Sequence, residues 1–486
     1  MKSSTIAQPD AQPPPQKSVM KAKSKDTTPR RGMGRAIATG VVACLALVAG
    51  IAWGWFNREV TVISSIDLDR TVGVAYFAPQ RNSFLPWENT GILAFVYDDG
   101  SYHMVEADAL NGAQPLWTDE GLIIPGDHHT RLITAPNGHT RADSQNAPDG
   151  AAVLDMVASL GLSNGHFEAY SSGDGNVAMS LTSSHGTATA NTRISQASGT
   201  LTSGNPSAVH QLGYAACGDD VYALIHETPA TRSTGTAGIS TLLHVASNGS
   251  LLDSHGTAMQ SADTAHSDIS DVMIGKSVMT DAGASSAPTA LASTAVCNAG
   301  VFSIITANSA NDGSDSGNTA LSLSSWETTT GRHSVKALHG TDGGIFTLAN
   351  ANLTPATAAG GRIVHDGAIY WFTASRTLNR TSLSDGVTRT ISDAHSQGAT
   401  NANPAVAAWF STDLATVFSA GISATLDDSR ASQGDAELIA VDTSNGNTVG
   451  SLRVQGLCTR VKQFSQTMVL QGFAANPSYR WPTPTN

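Results

Sequence analysis

The densest run of groups able to hold a metal or move a proton is Asp127-His128-His129. Adjacent imidazoles in extended chain point to opposite sides, so a metal site there needs a distant third ligand, and a solvated loop is the plainer reading. A second concentration of oxygen donors, NDGSDSGNT at 311–319, lacks the closing carboxylate of an EF-hand, because the twelfth position counted from Asp312 is Leu323. A flexible hairpin loop accounts for it. The chain has no H-E-x-x-H and no Gly-rich phosphate loop. Its carboxylates fall mostly at turn positions, where they bond local backbone. No catalytic residue, cofactor ligand or metal ligand is nominated.

The cysteines are more informative. Cys217 is followed at the fourth, fifth, seventh and eighth positions by Val221, Tyr222, Leu224 and Ile225; Cys297 is followed there by Val301, Phe302, Ile304 and Ile305. Matched places in neighbouring repeat units can approach closely, so the pair is either a disulfide, which an oxidising compartment permits, or two small buried residues. Cys458 does not share the pattern and leaves an odd thiol.

The elements that position these residues read as strands. After residue 57 no long segment carries a 3.6-residue apolar stripe, whereas short β-branched runs separated by Gly, Asn and Asp recur throughout. In the clearest unit, at 91–117, ILAFVY, YHMVEADA and AQPLW are separated by turns at Asp98-Asp99-Gly100-Ser101 and Leu110-Asn111-Gly112, predicting three antiparallel strands. The pattern returns with first strands near 166, 220, 300, 367 and 414 and a last strand near 467, a mean step of about 62 residues. Such a step holds one four-stranded blade and its loops, so the expected fold is an all-β propeller of about seven blades. Closing the ring removes the exposed edges of a long meander. The start of the body, including TVGVAYFA, is expected to complete the blade begun by residues 458–473.

The strings ELIAVDTSNG at 437–446 and EADALNG at 106–112 resemble blade ends of quinoprotein-like (PQQ-like) and WD40-like propellers. This resemblance implies architecture alone. The eight Trp do not recur at one blade position, so the family's Trp docking is missing and no quinone cofactor is carried over. The loop at 311–319 also resembles a degenerate sialidase-type Asp box, without its preceding Ser and following Trp.

Residues 36–56, AIATGVVACLALVAGIAWGWF, contain no charge and as a helix would extend about 31 Å, enough to cross a hydrocarbon core. Before them stand eight Lys and Arg against two Asp, a formal +6, while Arg58 is offset by Glu59 on the other side. The positive flank belongs in the cytoplasm, and Trp53, Trp55 and Phe56 mark the outer interface. Two rival readings are a cleaved export signal, which has a poorly formed site, and acylation at Cys44 within VVAC, which is followed by more apolar chain instead of a polar tether. The expected organisation is a disordered basic cytoplasmic tail (1–35), a transmembrane helix (36–56), an extracytoplasmic propeller (57–475) and a Pro-rich C-terminal tail (476–486).

From residue 57 onward, 19 of the 27 basic residues face 37 of the 39 acidic ones, a formal −18. Such a body is not built for nucleic acid, whose phosphates need a basic patch. The expected function is a single-pass, membrane-anchored propeller that binds or scaffolds an extracellular protein, glycan or wall component. A surface enzyme acting on glycan, a hydrolase or lyase with its site at the channel mouth, is the alternative. Three connections, 228–238, 308–318 and 420–434, are long and polar, and are expected to gather on one rim as the contact surface. Protease added to intact cells should remove residues 57–475 and spare 1–35. Protection of the body would reverse the orientation, and a mature protein beginning at Cys44 would make it a lipoprotein.

Overall fold

The structure is a computed structural model that describes residues 66–482 except 80–89, 119–120, 127–128, 135–138, 146–152, 164, 173–176, 184–185, 193–207, 229–238, 254, 260–275, 283–288, 291–294, 308–319, 348–362, 373–376, 394–404, 412, 421–433 and 465–467. No helix among the described residues is long and apolar enough to cross a membrane. The tail at 1–35 and the span at 36–56 lie outside the described residues.

The described chain forms seven sheets, numbered as blades 1 (71–108 with 468–475), 2 (116–145), 3 (153–192), 4 (208–282), 5 (289–337), 6 (363–393) and 7 (405–454). Pairing is antiparallel except where His339–Gly340 runs parallel to Val387–Asp393 at the outer edge of blade 6, and within blades 2 to 7 the chain proceeds from an inner to an outer strand. Burial fixes that direction: Thr448–Val454 and His333–Ala337, last in their sheets, are largely exposed, whereas Leu414–Ala420 and Leu321–Glu327 are almost wholly buried. A strand buried on both faces reads as a continuous apolar run, and those were the runs most visible in the sequence. Hydrophobic clusters fill the seams in turn: blades 7 and 1, then 1 with 2 and 3, 3 with 4, 4 with 5, 5 with 6, and 6 with 7. The fold is a seven-bladed propeller.

Blade 1 closes the ring. From the axis outward it consists of Met468–Ala475, Thr71–Pro79, Thr90–Tyr97 and Tyr102–Asp108, so the last strand of the chain pairs antiparallel with the first. Asn476 locks the joint: its backbone N donates to Val72 O at 2.9 Å, and its Nδ2 donates to Leu68 O and Thr71 O at 3.1 and 2.9 Å. Phe473 stacks on Phe418 of blade 7 with ring centroids 5.2 Å apart. TVGVAYFA joins the last strand as expected. The residues just before that strand differ from expectation, because Leu457–Phe464 is a helix that buries Leu457, Cys458 and Val461.

The blade count of seven holds, but two of the units behind it were misplaced. The strand near 467 belongs to the same sheet as that near 92, and a separate blade 2 occupies Leu116–Thr118, Gly121–Ile124, His129–Thr134 and His139–Gln145. AQPLW is therefore not a third strand of blade 1. Residues 109–115 carry the chain from the outer edge back to the axis, and they bury Leu110 and Ala113 on the way, which imitates a strand pattern. The strands near 166, 220, 300, 367 and 414 are second strands, each preceded by an inner strand such as Ala208–Cys217 or Ala405–Phe410. Residues 476–482 also differ from a frayed end, since Trp481 and Tyr479 pack on the core cluster of blades 7 and 1 and Trp481 occupies the space a Cβ on Gly450 would fill.

The Asp-Gly and Asn-Gly turns serve a second purpose. Gly100, Gly386 and Gly446, all at positive φ, join the third and fourth strands of blades 1, 6 and 7. Each lies against the outer strand of the preceding blade: a Cβ on Gly100 would meet Arg453 O at 2.6 Å, one on Gly386 would meet Ala337 O at 2.7 Å, and one on Gly446 would overlap Ile391 O. Gly367 has a similar φ of 65° and nothing within 4 Å of its Cβ position, so it isolates the backbone effect. Gly367→Ala should cost about 1 kcal/mol from the left-handed conformation alone. Gly446→Ala should cost at least about 2 kcal/mol more, because a full overpacking penalty is added. Denaturant unfolding of both variants measures the difference; equal losses would show that the blade contact carries no energy.

Candidate functional site

Inner strands converge on the axis, where small side chains are frequent. A cavity of about 410 Å³ lies there, between the inner strands of six blades. Gly161, Ala215, Ala216 and Ala295 supply much of its wall. Trp409 and Phe410, consecutive on the inner strand of blade 7, supply its aromatic side, and Phe410 is fixed by a tilted stack on Phe372 at 5.4 Å. Gln114 and Ser159 are its polar side chains among the described lining residues, none of which is charged. Gln114 stands in the connection from blade 1 to blade 2. That connection is held by Gly112 N donating to Gln471 Oε1 at 2.9 Å and by Met156 N donating to Asn111 O at 2.8 Å.

The cavity occupies the half of the ring in which the inner strands run into their second strands. Gly218, Gly300 and Gly367 turn the chain there at φ of 70°, 76° and 65°. Cys217 and Cys297 form a disulfide at this end, with Cα atoms 5.1 Å apart, linking the inner strands of blades 4 and 5; Cys297 also lines the cavity. The matched spacing in the sequence thus resolves in favour of the bond. Cys458 lies outside it and is buried in the helix before the closing strand.

Behind Ser159 a polar row crosses blade 3. Ser159, Glu168 and Ser180 are paired in register on three adjacent strands, and Glu168 is fully buried. Thr130 Oγ1, from blade 2, and Tyr170 OH each donate to Glu168 Oε2 at 2.7 Å. Burial, and after it the Glu168 charge, push the Tyr170 hydroxyl well above its usual range, so it remains a donor. Glu168 Oε1, Ser159 Oγ and Ser180 Oγ are buried without hydrogen-bond partners.

Asp127 and His128 lie outside the described residues, His129 opens the third strand of blade 2, and 311–319 lies outside as well. No group of three or more His, Cys, Asp or Glu able to hold a metal occurs among the described residues. Turn carboxylates behave as the sequence suggests. Ser101 hydroxyl and backbone donors hold Asp99 down at about 2, and Ser444, Ser382 and the Thr257 backbone N–H depress Asp442, Asp385 and Asp253 respectively. Sequence reasoning missed Gln114, Ser159, Glu168, Trp409 and Phe410, which share no motif and meet only in the closed ring.

No family model matches the chain, and no curated protein matches it in sequence. Among solved structures it is similar to a variant of Synechocystis apocarotenoid oxygenase, at 9% identity over 82% of this chain and 92% of that one, with a TM-score of 0.39. It is also similar to the dihydro-heme d1 dehydrogenase NirN (10%, covering 84% and 76%, TM-score 0.34) and to apo AztD from Citrobacter koseri (10%, covering 79% and 95%, TM-score 0.32). At such values these likenesses say nothing of activity, and the propeller assignment stands on the chain's own sheets and seams.

Tyr170→Phe keeps the ring and removes one of the two donors to a buried carboxylate. Unfolding free energy should fall by about 1–3 kcal/mol. A change below about 0.5 kcal/mol in denaturant titrations would show that Glu168 does not depend on this hydroxyl.

Proposed function

We propose that the protein is a membrane-anchored, extracytoplasmic binding module that uses one rim of its propeller to hold a protein, glycan or wall component. The observation that carries this reading is topological. The connections at 229–238, 308–319 and 421–433 all join second to third strands, in blades 4, 5 and 7. In antiparallel blades successive connections leave opposite ends, so these three insertions depart from one end of the ring, away from the turns at Gly218, Gly300 and Gly367. The minimal turn at Asp99-Gly100 joins a third strand to a fourth and leaves from the other end. Long polar segments on a rigid scaffold are where recognition concentrates.

Other observations support the location. An uncharged 21-residue run follows a basic tail, and the Cys217–Cys297 disulfide fits an oxidising compartment. The blade-end strings are read as a distant kinship with quinoprotein-like and WD40-like propellers, without a cofactor. The alternative, a carbohydrate-active enzyme, needs paired carboxylates at the channel mouth. The described cavity lining offers none.

Replacing each of the three connections by Asn-Gly in the full-length chain tests the reading. All three variants should fold, and at least one should lower retention on isolated cell envelope tenfold or more. Asp366→Ala, at an exposed turn of the opposite end, should leave retention unchanged. Full retention by all three shortened variants would move the contact surface off this rim.

A further inference from the structure

The axial cavity lies at the end opposite the proposed contact rim, and its mouth and its wall differ in charge. Each inner strand that lines it reaches its turn within about three residues, so the first-to-second connections of blades 2 to 7 surround the mouth about 7–10 Å from the lining. Those connections carry Asp219 and Asp220 in blade 4 and Asp413 in blade 7, and among their described residues no Lys or Arg. Asp219 meets the Ser163 hydroxyl, and Asp220 Oδ1 lies 3.3 Å from His244 Nε2. The described wall is uncharged. It is polar nonetheless, because inner strands end their sheets and present free backbone edges to the axis beside the Gln114 amide. Trp409 and Phe410, both half-buried, add two rings. An anion would be repelled at such a mouth, whereas a cation is drawn to it and then meets aromatic rings and backbone carbonyls. A bare metal ion would need carboxylate, imidazole or thiolate ligands, which the described wall does not offer. An organic ammonium, whose charge is spread over its own alkyl groups, needs none. The volume of about 410 Å³ falls within the range of small-molecule pockets.

We propose that this cavity is a binding site for a small organic ammonium ion, its cationic head against Trp409 and Phe410, with the Asp219, Asp220 and Asp413 carboxylates drawing it to the mouth. The disulfide links the walls of blades 4 and 5, so that side of the site is formed before the ligand arrives. A saccharide could use the rings and the backbone edges but would gain nothing from the carboxylates. The inference is independent of the rim reading, which concerns the other end of the ring.

A matched pair of probes tests it. Choline and 3,3-dimethylbutan-1-ol share one shape, with a quaternary nitrogen in the first and a neutral carbon in the second. Both are titrated by ligand-observed NMR against the full-length chain in octaethylene glycol monododecyl ether, with empty micelles subtracted. Choline should bind one saturable site, and the neutral isostere about fivefold more weakly or worse. Raising NaCl to about 0.5 M should weaken choline about threefold and leave the isostere unchanged. Asp220→Asn combined with Asp413→Asn should weaken choline about threefold at low salt, at an unchanged unfolding midpoint. Trp409→Leu should weaken it about fivefold. Trp409 also packs on the core cluster of blades 7 and 1, so if that variant does not fold, Ala216→Arg takes its place: a fixed positive charge in the cavity should abolish choline binding. Absence of saturable choline binding, equal affinity for the isostere, indifference to salt or to these variants, or displacement of choline by cellotetraose would each overturn the proposal.

Discussion

Pairing of Thr71–Pro79 with Met468–Ala475 is the interaction on which the rest of the structure depends. It joins residues about 400 positions apart, and the entropy of closing so long a loop must be met by contacts that form only once the ring is complete. The joint is accordingly dense. Asn476 satisfies three backbone carbonyls, Phe473, Phe418 and Phe77 fill the seam, and Gly73 gives up its side chain so that the Phe473 ring can lie against its backbone. Seven blades around one axis then impose a gradient: little space inside, more outside. Inner strands such as Ala208–Cys217 and Ala405–Phe410 are rich in Ala, middle strands carry long apolar runs, and outer strands face water.

That gradient explains which parts of the fold could be read from sequence. Middle strands such as Asp220–Thr228 and Leu414–Ala420 announce themselves through burial on both faces. Inner strands such as AVHQLGYAAC and AVAAWF do not, because crowding at the axis selects small residues with no alternation to detect. Blade 2 was missed because its inner strands span only three and four residues and its outer ones are polar. A right total of seven therefore came from one blade overlooked and one closing strand counted as a blade. The Cys217–Cys297 bond was legible for a different reason: two repeats placed their cysteines at the same offset from the same buried pattern. The cavity was not legible at all, since Gln114, Ser159, Trp409 and Phe410 are ordinary residues until closure brings six blades together.

The seams are largely apolar, and the one between blades 2 and 3 adds a buried polar contact to its hydrophobic cluster. A carboxylate buried there, held by Thr130 across the seam and by Tyr170 within its own blade, loses more if either partner is removed than the pair gains over an apolar substitute. Its value is therefore better sought in geometry than in stability: Thr130 can meet Glu168 in only one register of blade 2 against blade 3. The first two strands of blade 2 span only three and four residues, so a fixed point on its third strand helps to set its register.

The two ends of the ring carry different burdens. Contacts that hold neighbouring blades together, the disulfide and the turn glycines at Gly100, Gly386 and Gly446, lie at the end where first-to-second and third-to-fourth connections turn. Lengthening a turn there would lift it off the adjacent outer strand and open a seam. Second-to-third connections leave from the other end. Extending them adds only a slowly growing closure entropy, about 0.6 kcal/mol for each doubling of length. One end of the propeller is thus constrained by the ring and keeps the same small turns, while the other is free to vary in length and composition. Recognition can diversify there without disturbing closure, because the contacts that hold the ring lie at the opposite end.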